Sequence, residues 1–162
     1  MRLRSILLLV TATMAGRGLH AQATHSDTSV HDSAFAAMQE RGHVVMGVDQ
    51  YTSTHHFDDA PDGGRIVLVR NADDPAGAVR IQSHLRAIAA AFSAGDFSAP
   101  ALVHMQEVPG AQVMAAKRAL IQYSVRDLRR GAELTIRTRD PHAVRAVHDF
   151  LAFQRSEHHA MQ

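Results

Sequence analysis

The run Pro61-Asp62-Gly63-Gly64-Arg65-Ile66-Val67-Leu68-Val69-Arg70, with Asp74-Pro75 behind it, decides how this 162-residue chain is read. A glycine between two β-type runs marks a tight hairpin, where a positive φ is needed. An aspartate before a proline marks a helix start. The carboxylate accepts a free first-turn N–H, and proline has no N–H of its own to leave unpaired. The pattern then recurs as Arg129-Arg130-Gly131, Glu133-Leu134-Thr135-Ile136-Arg137 and Asp140-Pro141. Asp59, Gly63, Ile66 and Leu68 match Asp127, Gly131, Leu134 and Ile136 at a spacing of 68, and Asp74, Pro75 and Leu85 match Asp140, Pro141 and Leu151 at 66. The reading is a duplicated ββα unit, at about 52–92 and 119–155.

Both helices show an apolar stripe, Ile81, Leu85, Ile88 and Phe92 in the first and Val144, Val147 and Leu151 in the second. Ile121, Tyr123 and Val125 alternate with Gln122, Ser124 and Arg126, the period of a half-buried strand. The expected fold is α+β: a four-stranded antiparallel sheet with two helices on one face, within a single domain over 32–162. Ile66-Val67-Leu68-Val69 does not alternate, which predicts a central strand covered on both sides. The second cover is expected from a short N-terminal helix (Asp32 or Ser33 to about Arg41, stopped by Gly42), the 93–116 connection, or another subunit. That connection is a long central loop with a turn at Pro109-Gly110 and a short helix at about 111–117, and a long loop over a rigid scaffold is where a site is built.

At the other end, residues 1–23 read as a secretory signal. Arg2 and Arg4 precede the apolar Ile6-Leu7-Leu8-Leu9-Val10, and Ala21-Gln22-Ala23 is a small-x-small cleavage site. The apolar run is short of the roughly 20 residues a membrane span requires. A polar, flexible start at 24–31 is expected after cleavage. The expected setting is therefore periplasmic or secreted. The chain carries 17 Lys+Arg, 16 Asp+Glu, 12 histidines and no cysteine. Loss of Arg2, Arg4, Arg17 and His20 with the leader leaves 14 basic and 16 acidic side chains, a net charge near −2. That balance argues against nucleic acid or a lipid surface as partner, and a metal ion, a small molecule or a second subunit remain.

The histidines carry the functional expectation. His55 and His56 are neighbours on a strand and point to opposite faces, His55 toward the core. His84 and His148 lie on the two helices, His104 on the central loop, and His158 and His159 at the chain's far end. No local chelate such as H-E-x-x-H is present, so a metal site has to be assembled by folding. Imidazole without thiolate suits Zn²⁺ or Cu²⁺. The expected ligands are His56, His84, His104 and His148, with His55 or His158 as substitutes. Asp49 and Asp96, and also Glu107, are expected as carboxylates that ligate or orient imidazoles. Met46, Met105 and Met114 are thioether candidates for copper, although a methionine more often fills a core. The expected role is sequestration, delivery or sensing of the metal. The alternatives are an enzyme using a pocket histidine as general base, and a non-catalytic interaction module. Neither a G-x-S-x-G elbow nor a phosphate-binding glycine loop occurs.

The strings Met46-Gly47-Val48-Asp49-Gln50, Thr54-His55-His56-Phe57, His84-Leu85, Gly95-Asp96-Phe97, Val103-His104, Pro109-Gly110 and His148-Asp149-Phe150-Leu151-Ala152-Phe153-Gln154 resemble a family of small exported bacterial proteins, from about Ala34 to His159. The resemblance implies export and a shared pattern at His55, His56, His84, His104, His148 and His158, and it implies no activity. Some look-alikes carry the label aspartate carbamoyltransferase. Those enzymes use two α/β domains and a Ser-Thr-Arg-Thr loop, whereas Thr52-Ser53-Thr54-His55 here lacks the arginine.

Overall fold

Two hairpins meet at the middle of one sheet. In the computed structural model, which describes residues 33, 36–38, 40–44 and 50–159, the strands β1 (Ser53–Ala60), β2 (Gly63–Arg70), β3 (Ile121–Leu128) and β4 (Gly131–Thr138) form an antiparallel sheet in the order β1-β2-β4-β3. The described helical positions at 33, 36–38 and 40–44 (α1) precede it. The long helices are α2 (Pro75–Ala94) and α5 (Pro141–His159), and the shorter α3 (Ser98–His104) and α4 (Ala111–Ala116) lie between the hairpins.

The strands of the second hairpin begin and end 68 residues after those of the first. Ser53 faces Arg70 as Ile121 faces Thr138, so both hairpins share one register. In the central ladder Ile66 pairs with Leu134, its own counterpart at that spacing. The turns differ in detail. Gly63 has φ 138°, the region that favours glycine, whereas Gly131 is not among the residues of positive φ. Gly131 is demanded by close approach instead, since a Cβ there would lie 2.0 Å from the Leu68 carbonyl oxygen.

The two Asp-Pro starts act as expected. Asp74 accepts from the Gly77 N–H at 2.9 Å, and Asp140 from those of Ala143 at 2.8 Å and His142 at 3.0 Å. These bonds to the ionised form hold both carboxyls below their ordinary range. The helices cross over between the halves. Helix α2 lies chiefly on β3 and β4, and α5 chiefly on β1 and β2. Their stripes close on the inward rows of the sheet to make the core, with Leu68, Ile81, Leu134, Ile136, Val147, Phe150 and Leu151 at its centre.

The stretch between the hairpins is a packed layer rather than a loop. Phe97, Val103, Val108, Ala111 and Met114 are all buried, and Phe97 stacks on Phe92 at 4.3 Å. Helix α1 continues through Gly42 to Val44, so Gly42 is no stop, and Arg41 Nε donates to the Val103 carbonyl at 2.8 Å. Strand β2 is central as expected, but neither of the two covers expected from within the chain lies over its second face. Both α1 and the 93–116 segment pack on the helix side. The other face, with Val67 and Val69 half-buried amid charged pairs such as Arg65–Asp58 (2.8 Å) and Arg126–Glu133 (3.2 Å), carries no layer among the described residues.

Candidate functional site

The inward row of β1 places His55 two residues before Phe57 on the helix-facing side. Helix α5 sends Phe150, Gln154 and His158 to the same place, and α2 sends His84, Ile88 and Phe92. Each set is spaced i, i+4, i+8, one face of a helix. Helix α3 closes the space with Pro100, Val103 and His104. Together they enclose a cavity of about 90 Å³, apolar except for four imidazoles and one amide.

Three of the rings touch. His158 stacks on His55, with centroids 4.9 Å apart and planes 18° from parallel, and meets His104 edge-on at 5.5 Å. His104 is 8% exposed and its Nε2 lies 3.2 Å from Gln154 Oε1. Nδ1 has no hydrogen-bond partner; the nearest carboxylate oxygen is that of Glu157, 3.7 Å away. The amide nitrogen of Gln154, a residue only 5% exposed, is likewise unpartnered. The rings of His55 and His84 have no hydrogen-bond partner among the described residues.

Burial disfavours the charged form of each ring. It pushes His84 down to about 4. His55 is held well below its ordinary value by burial first and then by repulsion from His158, His84 and His56. His104 is also lowered by burial, against the opposing pull of Gln154 and Glu157. At neutral pH His55, His84 and His104 therefore present uncharged imidazoles. Of the two nitrogens of His104, one is bonded to Gln154 and the other faces Glu157 beyond bonding distance. Neither is arranged as a carboxylate-oriented base with its second nitrogen free.

Of the expected ligands, the fold brings together His55, His84, His104 and His158. His56 is exposed on the opposite face of the sheet, across from Val67. His148 lies two residues before Phe150, about 200° around the helix, and its Nε2 bonds the Ala60 carbonyl at 2.9 Å. Asp96 sits outside the cavity, accepting from the Ser98 N–H at 2.9 Å where α3 begins. Met114 is core, Met105 and Glu107 are exposed, and Asp49 and Met46 lie outside the described residues. No group of three or more His, Asp or Glu placed to hold a metal ion occurs among the described residues. Gln154 and Glu157 were not anticipated. The i, i+4, i+8 stripe ending at His158 is the signal that finds Gln154.

No protein-family model, curated protein or solved structure matches this chain.

Proposed function

We propose that this is an exported, periplasmic or secreted, binding protein that holds a small uncharged molecule in the cavity between α2 and α5 under α3. The observation that carries this reading is a cavity apolar over most of its wall, with His55, His104, Gln154 and His158 in contact at one side and the pKa values of His55, His84 and His104 lowered by burial. That combination is the usual signature of a ligand site. A ligand that binds only the folded state raises its stability, by about 2.7 kcal/mol at a hundredfold excess over Kd. Thermal unfolding against a set of small neutral compounds tests the reading. An upward shift in Tm abolished by filling the cavity with Val103→Phe supports it; the absence of any shift across the set rejects it.

The second reading is a Zn²⁺ or Cu²⁺ site for sequestration, delivery or sensing. It is favoured by the unbonded rings of His55 and His84 beside those of His104 and His158. These four would hold the ion after their rings turn toward a common point, with neutral nitrogens as ligands. Elemental analysis after chelation and reloading separates the readings. About one metal per chain, lost in His55→Ala and retained in His56→Ala, selects the ion; less than about 0.2 per chain with no thermal shift rejects it.

A further inference from the structure

The two edges of the sheet are not alike. Strands β1 and β3 lie at its two ends. The phase of the ladders says which backbone groups reach those edges. Thr138 N–H donates to the Asp62 carbonyl at 2.8 Å and Arg70 N–H to that of Arg130 at 2.7 Å, so the even-numbered residues of β2 and β4 bond each other. Residues alternate sides along an antiparallel strand. The odd-numbered residues of β4 therefore bond the even-numbered ones of β3, and Tyr123, Val125 and Asp127 turn their N–H and C=O groups outward.

The corresponding edge of β1 is guarded. Arg155 donates to the outward Phe57 carbonyl and pairs with Asp59 at 2.9 Å. At the repeat spacings Phe57 answers to Val125, Asp59 to Asp127 and Arg155 to Ala89. Arg86 pairs with Asp127 at 2.6 Å, but among the described residues no side chain bonds the Val125 carbonyl. Neither a proline nor a bulge, which blunt an edge against pairing, interrupts β3.

We infer that β3 is a dimerisation edge, pairing antiparallel with β3 of a second copy about a two-fold axis at Ser124, so that the two sheets become one. The strand's own sequence selects this occupant and this register. Centred on Ser124, Tyr123 faces the second copy's Val125, Gln122 its Arg126 and Ile121 its Asp127, and no like charges meet. Centred on Arg126 or Asp127, identical charges stand face to face. About six backbone hydrogen bonds cross the axis, Ile121 giving only its carbonyl because its N–H is bonded to Arg118.

Because the chain has no cysteine, single substitutions can report the register. The full chain at micromolar concentration is expected to show twice the chain mass by light scattering. The two copies of Ser124 form a non-hydrogen-bonded pair with Cα atoms about 4.5 Å apart, within disulfide reach, whereas the copies of Gln122 lie about 13 Å apart. Ser124→Cys should therefore oxidise to a linked dimer on a non-reducing gel, and Gln122→Cys should not. Val125→Pro removes an outward N–H that the fold does not use, and Ser124→Asp sets like charges opposite each other on an exposed position. Each should give a monomer with an unchanged circular dichroism spectrum, and Ser124→Asp decides if the proline variant does not fold. A monomer in the unmutated protein overturns the inference and leaves the edge to a strand of another protein. A dimer that persists in Ser124→Asp, or that links equally through Gln122→Cys, overturns it as well.

Discussion

His84 reaches the cavity from the middle of α2, and burial alone pushes its pKa from the ordinary 6.5 to about 4. Between those two values the unfolded chain binds a proton that the folded chain refuses. The contribution of His84 is therefore complete above about pH 6.5 and is lost as pH falls toward 4. His55 and His104 shift in the same direction and add to the loss. Urea unfolding at pH 7 and pH 5 should show stability falling by up to roughly 2 kcal/mol through His84 alone, and by less in His84→Leu. The comparison stays above pH 5 because Asp74, Asp96 and Asp140, held low by their N–H partners, begin to count only in the carboxylate range. Gly131 carries a second prediction at this scale. With the Leu68 carbonyl where its Cβ would be, Gly131→Ala should cost more than about 2 kcal/mol, measured the same way, although no positive φ is involved. The residue type was legible in the sequence as a turn signal. Its reason was not, because crowding by a strand 63 residues away is not a local property.

Among the elements, those with local punctuation were read correctly. Both hairpins and both capped helices follow from glycine, Asp-Pro and the period of the apolar residues, all of which act within a few positions. Between the hairpins α4 was expected, at about 111–117, but α3 and the close packing of the whole stretch were not, because these helices are only seven and six residues long and neither has a side-chain N-cap bond. Segments that short are held by tertiary packing rather than by propensity. Met114, expected as filler or thioether ligand, is fully buried at the heart of this layer. Met114→Ala should lower stability by about 2–5 kcal/mol, with a reduced Tm as readout, where an exposed loop residue would cost almost nothing. Asp140→Ala, which removes the α5 cap and the 3.0 Å pair with Lys117, should cost about 1 kcal/mol in the same assay.

For the molecule as a whole, the crossing of helices decides what can be seen from sequence. The α+β class and the four-stranded sheet follow from the repeated pattern, but the cavity does not. His55 comes from the first hairpin, His84 from the helix after it, His104 from the middle layer and His158 from the last helix. Their meeting depends on α5 returning over β1, where Arg155 pins it through the Phe57 carbonyl and Asp59. Even so, the stripe Phe150, Gln154 and His158 could have ranked His158 above His148, and the alternation in β1 could have ranked His55 above His56.

That interlacing also determines how the molecule should respond to a broken backbone. Met105, Gln106 and Glu107 stand exposed between α3 and α4, a natural place for a protease to cut. Each fragment would then keep its helix laid across the other fragment's hairpin, with the Ile66–Leu134 ladder still closed between them. A nicked sample should run as one species on size exclusion and as two bands on a denaturing gel. Like clasped hands, the pieces would come apart only when both let go.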